Sequence, residues 1–136
     1  MFRVVLAGFL LLLSSSVLAF KFPIEMIEGI DGARIVIYVG EGDIDSGAHW
    51  VPFEGAPPLS LVKALATVRE HLANIPAMRD ATLKEVQLRQ IPRHKAVWHY
   101  MVVMQSMKDG KPVLHYYVVL MSGKFIPAIR EPESYK

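Results

Sequence analysis

The sequence predicts an α+β fold, with one main helix packed on an antiparallel sheet of three to five strands. Residues 60–74 repeat apolar side chains at helical spacing. Runs before and after them are rich in β-branched and aromatic residues. Asp109-Gly110 separates two of those runs, which is the strongest short-range hairpin signal.

The chain opens with Arg3, an unbroken apolar run over residues 4–13, three serines at 14–16 and then Val17-Leu18-Ala19. That order is the pattern of a secretory signal peptide. Cleavage is expected after Ala19, which gives a periplasmic protein beginning at Phe20 with no stable membrane span. Residues 20–57 read as an N-terminal strand and a long loop. Residues 20–32 show no clean period, whereas 33–39 (ARIVIYV) are β-branched and aromatic, as a strand is, and are bracketed by Asp31-Gly32 and Gly40. The loop over 40–58 carries glycines, prolines and the aromatics Trp50 and Phe53.

The helix follows. Pro57-Pro58 suit a helix start and Ser60 is placed to cap it. Leu61, Ala64, Leu65, Val68, Leu72 and Ile75 share one face, and Pro76 ends the run. Strands are then expected over 82–91, 97–107 and 113–121, with a short one within 124–129 after Ser122-Gly123, and a frayed tail over 130–136. With Asp109-Gly110 as a two-residue turn, Lys108 faces Lys111 and Met107 faces Pro112. That register sorts the hairpin into two faces. One holds Trp98, Tyr100, Val102 and Met104 with His115, Tyr117, Val119 and Met121. The other holds His99, Met101, Val103 and Gln105 with Leu114, Tyr116, Val118 and Leu120. One helix can cover only one of them, and the more aliphatic face, with Met101, Val103, Val118 and Leu120, is the expected seat.

Composition bounds the function. The chain has 136 residues, of which 52% are hydrophobic and 21% charged; it has no cysteine and a formal net charge of +2. Those values exclude a disulfide scaffold, a thiol enzyme, a disordered chain and a dedicated nucleic-acid binder. One domain is expected, large enough to bury a core without cross-links.

Segments PLSLVKALATV (58–68), VWHYMVVM (97–104) and HYYVVLMSGKFIPAI (115–129) resemble the opening helix, central strand and closing hairpin of the PepSY family. The resemblance covers residues 58–129. It implies a secreted, non-enzymatic module that restrains peptidases or binds partners outside the cytoplasm, and it supplies no catalytic residue.

The candidate sites are few. His49, His71, His94, His99 and His115 show no metal-ligand spacing, and His99 and His115 fall on opposite faces of the hairpin. Glu41, Asp43 and Asp45 lack the further ligands a calcium loop needs and read as a solvated acidic segment. Arg89, Arg93, His94 and Lys95 read as a solvated basic turn. No nucleophile elbow or phosphate-binding glycine loop is present. No catalytic residue, metal or cofactor is therefore expected. The aromatic face, with Trp98, Tyr100, Tyr117 and Met121, is the expected partner-binding surface, unless residues 20–53 fold over it as core. The expected function is a non-enzymatic periplasmic binding or inhibitory module acting on a protein partner or on a second copy of itself. The alternative is a small hydrolase or isomerase using His99 or His115 as base in a pocket between helix and sheet.

Overall fold

The computed structural model describes residues 24–30, 33–45 and 48–131; the expected signal peptide and the residues beyond 131 lie outside them. Strands β1 (Ile24–Ile30) and β2 (Ala33–Val39) pair antiparallel, and the one-turn helix α1 (Glu41–Asp45) follows. Helix α2 spans Leu61–Leu72. Strands β3 (Thr82–Gln90), β4 (Trp98–Lys108), β5 (Lys111–Leu120), β6 (Phe125–Pro127) and β7 (Ile129–Glu131) complete the chain. The fold is α+β with antiparallel sheets, as the sequence predicts. The larger sheet runs β3-β4-β5-β6 and the smaller β1-β2-β7. No helix among the described residues is long and apolar enough to cross a membrane.

Local signals explain most elements. Ser60 caps α2, its Oγ accepting from the Lys63 N–H at 3.2 Å. The helix ends two residues before the expected Asn74, and Pro76–Met78 follow as a 3₁₀ turn that buries Met78. The β4–β5 register is the expected one, with Lys108 opposite Lys111 and Met107 opposite Pro112. Asp109 and Gly110 both have positive φ (52° and 74°), as a type I′ turn requires. Gly123, at φ 90°, supplies the turn into β6.

Four expectations need correction. Residues 24–30, left without a period, form β1, because β2 offers them a partner in register from Ile24↔Val39 to Ile30↔Ala33. The long loop holds α1, whose Ile44 enters the core and whose Asp43 carboxylate takes two 2.7 Å bonds from Lys124 Nζ. The tail starts later than residue 130, since β7 joins β2 and Arg34 pairs with Glu131 at 3.2 Å.

The fourth correction concerns the layers. Helix α2 lies on the aromatic face, not the aliphatic one. Its Ala64, Val68 and Leu72 pack with Tyr100, Val102, Tyr117, Val119 and Met121. The aliphatic face is covered instead by the smaller sheet, with Ile35, Ile37 and Val39 packed with Met101, Val103, Tyr116, Val118 and Leu120. Shape accounts for the choice. Flat aliphatic rows suit sheet-on-sheet packing, while the small Ala64 leaves room for tyrosine rings. The chain entering α2 also gives the Tyr100 hydroxyl a partner, the Leu59 carbonyl at 2.7 Å.

Candidate functional site

Helix α2 does not cover the aromatic face completely. It lies over β4 and β5, and the same face of β3 stays partly open, with Leu83 48% and Leu88 39% exposed. The register puts these two leucines opposite Met104 and Tyr100, on the helix side of the sheet. Between α2 and the start of β3 runs a half-open cavity of about 390 Å³. Leu65, Val68 and Leu72 of α2 form one wall, Leu83 and Ala81 the other, and Met78 and Met104 are also among its lining side chains. Two cations join these apolar walls, Arg69 from the helix and Arg79 from the residue after the 3₁₀ turn. Both are exposed, and no hydrogen bond or ion pair of either guanidinium is found among the described residues.

β3 is an edge strand. It pairs with β4 alone, and a bulge between Leu83 and Glu85 interrupts its ladder beside the cavity. Beyond the bulge the strand is regular from Glu85 to Gln90, with no neighbour on its outer side among the described residues.

The expected partner-binding quartet lies elsewhere. Tyr100, Tyr117 and Met121 are buried under α2, at 5%, 9% and 4% exposure. Phe125 stacks on Tyr117 at 5.3 Å, and burial raises the pKa of both tyrosines. Trp98 is half-buried and meets Trp50 edge-on at 5.4 Å, its own Nε1 unpartnered. The face expected to stand open is core in this conformation. Of the alternative cover, residues 20–53, Ala48 and Trp50 are seen to pack there among the described residues.

The two histidines proposed as bases also lie outside the cavity lining. His99 is 2% exposed on the aliphatic side; burial first, then the Arg89 charge, lower its pKa to about 4. Its Nδ1 has no partner. His115 stands on the helix side of the sheet, its Nε2 2.7 Å from the Ser106 Oγ, with its pKa lowered by burial and by Arg130. His71 stacks on Phe125 at 4.1 Å, and His49 is exposed. No group of three His, Asp or Glu able to hold a metal occurs among the described residues.

Reading from sequence missed the groove. The one available signal was Arg69, which interrupts the stripe of Leu65, Val68 and Leu72 at helical spacing. Arg79, Leu83 and Met104 join it only through the tertiary fold. The chain matches no family model, no curated protein and no solved structure.

Proposed function

We propose that this protein is a non-enzymatic binding or inhibitory module that engages a protein partner in the periplasm through the groove between α2 and β3. The half-open apolar cavity beside an unpaired strand edge carries the reading. An edge strand offers unpaired backbone groups, and an adjoining pocket selects side chains; together they form a common means of capturing polypeptide. The resemblance of residues 58–129 to the PepSY family and the signal-peptide pattern of residues 1–19 support the same reading. They point to an exported module that restrains or binds other proteins. The reading as a hydrolase or isomerase has less support, because neither His99 nor His115 borders the cavity.

Capture from periplasmic extract tests the proposal. Leu83 is half exposed at the groove wall, so Leu83→Asp is compatible with folding. Immobilised protein should retain a partner that the Leu83→Asp variant, of unchanged melting temperature, fails to retain. Equal capture by both would place the binding surface elsewhere.

A further inference from the structure

Resting on that reading, we infer that the groove receives the free C-terminal end of an extended peptide. Its last, apolar side chain enters the cavity, and its terminal carboxylate pairs with Arg69 and Arg79. Three features of the groove converge on this class of ligand. The first is charge. Arg69 and Arg79 project from an otherwise apolar lining and meet no carboxylate among the described residues. A guanidinium presents a planar fork of donors that matches a carboxylate, and such charge-assisted bonds are about twice as strong as neutral ones.

The second is size. A volume of about 390 Å³ lies near the lower end of ordinary ligand sites, suited to one or two side chains rather than a folded element. The third is the strand edge. From Glu85 to Gln90, β3 is regular and unpaired on its outer side, so it can take a peptide backbone as an added strand. The bulge at Lys84 ends that pairable stretch beside the cavity. A chain added to β3 loses its ladder where Leu83 and the arginines begin, and a chain that terminates there leaves no unpaired continuation. The exposed Leu88 extends the apolar track along the same face, beneath the body of the peptide. The shared requirement for an apolar body with a carboxylate would also suit a fatty acid; the free strand edge favours the peptide.

Fluorescence polarisation on protein recovered from the producing cell tests this. The probes are five fluorescein-labelled pentapeptides, Ala-Thr-Val-Thr followed by Val, Leu, Ile, Met or Phe, each made as free acid and as C-terminal amide, with dodecanoate as a separate titrant. At least one free acid should bind, and its amide should bind at least about tenfold more weakly. Arg69→Gln and Arg79→Gln should each weaken the free acid by about tenfold and leave the amide unchanged. Equal affinity for acid and amide, or no binding by any free acid, would overturn the inference. So would binding of dodecanoate alone, which would make the ligand an anionic amphiphile. Partner capture that still depends on Leu83 while no free acid binds would remove this inference and leave the protein-binding reading standing.

Discussion

Both faces of the β4–β5 hairpin are apolar, yet they are completed in different ways. On the aliphatic side a second sheet closes over the rows of Met101, Val103, Val118 and Leu120, and Ile35, Ile37 and Val39 lose all contact with water. On the aromatic side a single helix covers β4 and β5 and stops short of β3, leaving Leu83, at the wall of a cavity, and Leu88 partly exposed. β3 is left partly open on both faces, but its margins differ: on the aliphatic side it carries Glu85, Gln87 and Arg89, none of them in the core cluster there, and on the helix side it carries Leu83 and Leu88. The closed half is the one whose uncovered margin is polar, and the open half is the one whose uncovered margin is apolar.

The sharpest way to break that comparison is to cut one side chain from each half. Met101→Ala, in the closed interface at 1% exposure, should cost about 2–5 kcal/mol in denaturant unfolding. A loss below about 1 kcal/mol would show that the two sheets do not pack as described. Acid should act through the same closed half. His99 titrates at about 4 in the folded state against 6.5 in an unfolded chain, so the unfolded state binds more protons between those values. Stability should therefore be complete above pH 6.5 and fall as the pH drops toward 4, by up to about 3 kcal/mol, with little further change from this group below that. His99→Leu should flatten that part of the pH profile measured by urea melts. An unchanged slope would assign it to other groups.

Smaller effects belong to the open half and the periphery. Leu65 is half-buried at the cavity wall, so Leu65→Ala should cost only about 1 kcal/mol, well below Met101→Ala. Equal costs would mean that the groove is as tightly packed as the closed interface. Asp43→Asn removes the negative charge that faces Lys124, in a partly exposed pair at 2.7 Å, and should shift the melt by less than about 1 kcal/mol.

Sequence patterning made the elements legible but not their layering. Asp109-Gly110 determines the hairpin register because a two-residue turn leaves no freedom in pairing. Ser60 starts α2 for a local reason of the same kind, whereas Pro76 opens the 3₁₀ turn after the helix has ended at Leu72. The helix could not be assigned to a face in this way, because both faces are apolar and period alone does not rank them. β1 was hidden because its residues have no clean alternation of their own, although Asp31-Gly32 before the β2 run carries the same hairpin signal as Asp109-Gly110. The expected partner surface of Trp98, Tyr100, Tyr117 and Met121 followed from composition, since aromatic and Met side chains serve cores and interfaces alike. The groove depends on where α2 ends its coverage, which no local pattern records.

Backbone hydrogen exchange measured with and without a captured partner tests the central claim most directly. If the site is the groove, added protection falls on β3, from Thr82 to Gln90, and on the second half of α2, while β1 and β2 exchange as before. Protection concentrated on β2 and β7, with β3 unchanged, would contradict it.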